Sequence, residues 1–97
     1  MKDFSTGLSD AERERLALLA EECGEVIQVI GKILRHGFES RHPDGGPTNR
    51  ELLEIELGHV GFAGFLCETF KDVSAQGIYV SRYEKSLRIA KYLHFQE

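Results

Sequence analysis

Two short acidic patterns carry the chemistry this chain is equipped to do. Glu22-Cys23-Gly24-Glu25 places two carboxylates three residues apart, and Glu56-Leu57-Gly58-His59 places a carboxylate and an imidazole at the same spacing. On a helix, residues three apart share a face, with Cβ atoms about 5 to 6 Å apart. The second pair falls inside an apolar seam: Leu52, Glu56, His59, Ala63, Leu66 and Phe70 recur at steps of 4, 3, 4, 3 and 4. That is the pattern of a bundle helix, and it predicts burial of both polar members. A carboxylate in such a seam is strongly unfavourable unless it is paired, neutralised or bound to a cation. If the two helices pack antiparallel through these seams, Glu22, Glu25, Glu56 and His59 converge, and three carboxylates with one imidazole suit a divalent ion. Hard oxygen donors favour Mg2+ or Mn2+ that keeps part of its water shell, and such ions commonly serve phosphates.

The elements that must position these groups are marked by caps and periodicity. Ser9 and Glu12 form a capping box, and Gly37 follows Arg35 and His36 as a C-terminal stop, which predicts a first helix over residues 9–36. It carries two stripes. Leu16, Ala20, Cys23, Ile27, Ile30 and Leu34 are apolar throughout, whereas Leu18, Glu22, Glu25, Val29, Lys32 and His36 mix carboxylates with apolar groups on roughly the opposite side. A helix with two seams packs between two partners. Residues 37–47 are dense in Gly, Pro and Asp and read as a loop. Thr48 and Glu51 form a second capping box, opening a helix over residues 48–70. Gly58, Gly61 and Gly64 within it each cost about 1 kcal/mol relative to Ala, which close approach of another helix would offset. A third helix is expected over residues 73–94, with Val80, Tyr83, Leu87 and Ala90 on its inner face. No strand-like alternation, repeat or linker interrupts this, so the fold class expected is all-α: a bundle of three to four helices per chain in a single domain, residues 1–97, completed by oligomerisation.

Composition narrows the function classes. A chain of 97 residues supports one small domain with a thin core, for which a dimer or larger assembly is expected. With 41% hydrophobic and 29% charged residues it belongs with folded globular chains rather than disordered ones. The net charge of -4 argues against general nucleic-acid binding, which selects basic surfaces, and fits a site that holds cations. Cys23 and Cys67 form no CxxC pattern and read as reduced core residues. His36, His42 and His94 have no metal-ligand spacing and read as loop or surface residues. Residues 1–9 hold no apolar signal region, and no run approaches the roughly 20 apolar residues of a membrane span. No membrane association is therefore expected, and a cytoplasmic location is.

Glu21-Glu22-Cys23-Gly24-Glu25-Val26, followed by Gly31-Lys32-Ile33-Leu34-Arg35-His36-Gly37 and then by residues 49–60 with their Glu56-Leu57-Gly58 core, resemble the MazG-like nucleotide pyrophosphohydrolases, particularly the short phage-type members. The resemblance covers most of the chain. It implies an all-α, dimeric or tetrameric, Mg2+-dependent enzyme with a Glu-Glu-x-x-Glu motif on one helix and Glu-x-x-Asp on the next. The first motif matches at Glu21, Glu22 and Glu25; the second matches at Glu56 and carries His59 where the pattern has Asp. Imidazole in place of carboxylate removes a negative charge and a hard donor, which weakens Mg2+ and relatively favours Mn2+, Co2+ or Zn2+. The implied reaction is hydrolysis of a nucleoside triphosphate between its α and β phosphorus atoms, giving monophosphate and pyrophosphate. Glu21 or Glu22 would be the base, and Lys32, Lys85, Arg88 and Lys91 are candidates to balance the triphosphate charge. Two other functions stay open at this point. One is a nucleotide-binding or interaction module disabled by His59; the other is a ferritin-like di-iron site built from two copies of Glu56-x-x-His59.

Overall fold

The computed structural model describes residues 5–96 and consists of three α-helices, α1 (Asp10–His36), α2 (Asn49–Thr69) and α3 (Ala75–Arg88), followed by a 3-10 turn over Ile89–Tyr92. Met1 to Phe4 and Glu97, included in the single-domain reading, lie outside the described residues. Among those described no strand forms beyond an isolated bridge between Arg41 and Thr48, and the regular elements are all helical.

Both capping boxes close as expected. The Glu12 amide donates to Ser9 Oγ at 3.1 Å and the Ser9 amide to Glu12 Oε1 at 2.7 Å; Thr48 and Glu51 repeat the exchange at 3.1 and 3.0 Å. Each box satisfies two amides that a helix start would otherwise leave orphaned. Gly37 stops α1 at a φ of 89°, a conformation costly for a residue with a Cβ. The loop that follows is tied at its base. The Asn49 side chain donates to the Gly37 carbonyl at 3.1 Å, and the Asn49 and Arg50 amides donate to Ser40 and Phe38. Thr48 and Asn49 are thereby buried, and this anchor fixes where α2 begins relative to the end of α1.

The two long helices run antiparallel and pack through the mixed stripe of α1, with Val29, Ala63 and Cys67 buried between them. Their far end is clamped by Arg15, whose Nε and Nη2 donate to the two oxygens of Asp72 at 2.6 and 2.8 Å while its guanidinium lies over the Phe70 ring. The fully apolar stripe of α1 faces outward: Ile27 and Leu34 are 69% and 82% exposed.

Several expectations are corrected. α3 is shorter than residues 73–94, because the Ser74 hydroxyl accepts from the Gly77 amide and sets its start, while beyond Arg88 the chain tightens into the 3-10 turn. Its apolar stripe is not an inner face within one chain: Val80, Tyr83 and Leu87 are exposed, and α3 packs on the turn that follows it rather than in quantity on the α1–α2 pair. Among the described residues nothing from a neighbouring element lies within 4 Å of where a Cβ would stand on Gly58, Gly61 or Gly64, so no described neighbour offsets their cost. Cys67 is a core residue as expected, but Cys23 is exposed, because it belongs to the outward stripe.

Candidate metal centre

The antiparallel pairing of α1 and α2 brings Glu22, Glu25, Glu56 and His59 together: one ligand atom from each lies within 4.8 Å of the others. Ligands on opposite sides of a single ion stand about 4.0 to 4.2 Å apart for Mg2+ and about 4.6 to 5.2 Å apart for Ca2+, so the group has the dimension of one coordination sphere. The local reason is the register set by the Asn49 anchor at one end and the Arg15–Asp72 clamp at the other, which places the third turn of α2 beside the fourth turn of α1.

Electrostatically the cluster is short of positive charge. The Glu22 and Glu56 side chains are only 15% and 14% exposed, and the Oε2 atom of each is buried with no hydrogen-bond partner. His59 Nδ1 approaches these two oxygens at 3.3 and 3.5 Å without completing a hydrogen bond to either. Glu56 raises the Glu25 carboxyl above its ordinary value, first by sharing a hydrogen bond and then by like-charge repulsion, with burial adding to the effect and His59 opposing it. An unpartnered buried carboxylate oxygen costs roughly 1 to 3 kcal/mol or more, and two of them in one cluster with a third glutamate alongside is the donor set that a divalent cation satisfies. The residues present fit such an ion: Glu22, Glu25 and Glu56 would supply oxygens and His59 a nitrogen.

His59 is 53% exposed rather than buried in the seam. It caps the open edge of the cluster. Glu21 is exposed and outside the four-residue group, one position before Glu22 on α1. Lys85 and Arg88 on α3 and Lys91 in the 3-10 turn are exposed as well, and the described residues do not bring them to the carboxylates; Lys91 lies over the Tyr92 ring instead. Lys32 lies two turns along α1 from Glu25 and lines an open cleft of about 530 Å³ walled on one side by loop residues between Ser40 and Pro47. His36 and His42 also line that cleft, a role that their lack of metal-ligand spacing could not signal.

No protein-family model, curated protein or solved structure matches this chain. The likeness to MazG-like enzymes therefore rests on the motif residues themselves.

Proposed function

We propose that this chain is a nucleoside triphosphate pyrophosphohydrolase of the MazG-like type, dependent on a divalent metal and working as a homodimer or homotetramer. The observation that carries the reading is the pair of buried, unpartnered oxygens on Glu22 and Glu56 beside Glu25 and His59. A divalent ion held by these four residues would supply charge neutralisation for phosphate oxygens and make an attacking water more acidic. The water oxygen attacks the α phosphorus, the bond from that phosphorus to the α–β bridging oxygen breaks, and pyrophosphate leaves with the bond's electron pair. The water's proton passes to a glutamate of the Glu21-Glu22 pair at the edge of the site. Lys32 contributes positive charge toward the polyphosphate from its place on the same stripe of α1. Self-association is supported by the outward stripe of α1, by exposed Phe62 and Phe65 on α2, and by the exposed apolar side of α3, which together leave more apolar surface open than a lone chain of this size ordinarily does.

The test is pyrophosphate release from a panel of nucleoside triphosphates with Mg2+, Mn2+ or Co2+ supplied in turn. Turnover is expected, and Glu56→Gln is expected to lower it by at least about 100-fold, or about 2.7 kcal/mol of transition-state stabilisation, with the helical circular dichroism unchanged. Nucleotide binding without release under all three metals would replace this reading with that of a binding module. Full activity of Glu56→Gln would remove Glu56 from the site.

A further inference from the structure

The cleft at the end of the α1–α2 pair carries a second assignment. Its volume of about 530 Å³ falls within the roughly 300 to 1,000 Å³ of small-ligand sites. Every charged residue lining it is basic or a histidine: Lys32, Arg35 and Arg41, with His36 and His42. In a chain with 12 basic residues against 16 acidic ones, that segregation is not what composition supplies. Among the described residues Lys32, Arg35 and Arg41 form no salt bridge; Arg41 donates one hydrogen bond to the Gly46 carbonyl at 3.2 Å and attracts the Glu51 carboxylate from a distance. The nearby acids are engaged or outward: Glu51 is held in the Thr48 cap, Glu39 pairs with Arg50 at 2.8 Å, and Asp44 stands on the rim beside His42 with its side chain 91% exposed. The field at the end of α1 accounts for basic residues in its last turn, Arg35 and His36, but not for Arg41, which the loop contributes.

The wall of the cleft is built rather than loose. Asn49, 6% exposed, spends its side chain on the Gly37 carbonyl and its amide on Ser40, the Arg41–Thr48 bridge closes the loop, and Arg50 stacks over Phe38 at 4.4 Å. Between the basic groups lie apolar surfaces from Pro43, Pro47 and Leu52. Cations at one side and an aliphatic wall at the other match a ligand with phosphate at one end and a flat or apolar body at the other.

We propose that this cleft binds a small phosphorylated molecule of mononucleotide size without a metal ion, its phosphate on Lys32, Arg35 and Arg41 and its body against Pro43, Pro47 and Leu52. Leu52 is one turn before Glu56 on α2, so a ligand seated here adjoins the acidic cluster. The binding is independent of turnover, and its failure is read separately from a failure of the hydrolase.

Titration calorimetry on the full chain in excess EDTA tests it, with adenosine monophosphate and adenosine as probes. The monophosphate is expected to bind at least about tenfold more tightly than adenosine, and to weaken severalfold as added salt goes from about 0.05 to 0.5 M, since exposed charges are screened over a few ångströms at the higher value. Arg35→Gln with Arg41→Gln is expected to cost the monophosphate at least about tenfold, with circular dichroism confirming the fold. The salt dependence of the unaltered chain tests the same point without substitution. Equal affinity for the two probes, salt-insensitive binding, or a folded double variant with undiminished affinity would overturn the assignment. So would a short single-stranded oligonucleotide binding more tightly than the mononucleotide, which would make the cleft part of a nucleic-acid groove.

Discussion

Glu22, Glu25 and Glu56 stand where a bundle helix ordinarily carries leucine, and two of them hold buried oxygens that nothing among the described residues satisfies. Their convergence was legible in the sequence because two i,i+3 pairs on seams of matching period must meet when the helices pair antiparallel. What periodicity could not supply was the exposure of His59, 53% open although it continues the seam: the period places a residue on a stripe but does not say how far the neighbouring helix reaches across it. If the cluster holds a metal as proposed, His59 at its edge would set the metal preference. His59→Asp is expected to increase Mg2+-supported turnover relative to Mn2+ or Co2+, since it returns a negative charge and a hard oxygen donor. A metal preference unchanged by the substitution would place His59 outside the coordination shell.

The starts of α1 and α2 were set by two capping boxes and the end of α1 by a glycine stop, and the structure reproduces all four bounds within a residue. α3 was harder to read, because the Ser74 cap competes with periodicity at its start and its apolar stripe has no partner in the chain to define an inner face. The clamp between elements was invisible to any local signal: Arg15 and Asp72 are 57 positions apart, and Asp72 lies in the short connection after α2. That clamp has a pH signature. Hydrogen bonds from Arg15 hold the Asp72 carboxyl below its ordinary value of 3.8, against a smaller opposing effect of burial. The folded chain therefore keeps Asp72 ionised to lower pH than the unfolded chain does, so its stabilisation is complete above the unfolded value and is lost as pH falls from there through the folded one. In thermal melts, Asp72→Asn is expected to lower the midpoint at pH 7 and to converge on the unaltered chain as the pH drops below 4. Melting curves offset equally at every pH would show that the ion pair contributes nothing.

At the scale of the whole molecule the chain is extended. Its radius of gyration is 17.5 Å, against about 12.5 Å for a compact chain of this length, and the fully buried apolar residues described are Val29, Ala63 and Cys67. No described helix is long and apolar enough to cross a membrane. The all-α class followed from the caps and seams, whereas the distribution of burial did not, because a seam in sequence records that a face wants cover without recording which chain provides it. Sedimentation at micromolar concentration is expected to give a dimer or tetramer, and Ile27→Glu with Leu34→Glu, both on the outward stripe of α1, is expected to shift it toward monomer. A stable monomer of the unaltered chain would contradict the assignment of those faces to a second copy. The cation site itself is tested most directly by titrating Mn2+ into the full chain and reading the free ion by electron paramagnetic resonance, alongside Glu56→Gln. One ion bound per chain, with affinity lost at least about tenfold in the variant, is the result expected. No binding up to millimolar Mn2+, or equal affinity in the folded variant, would contradict the assignment of Glu22, Glu25, Glu56 and His59 to a metal.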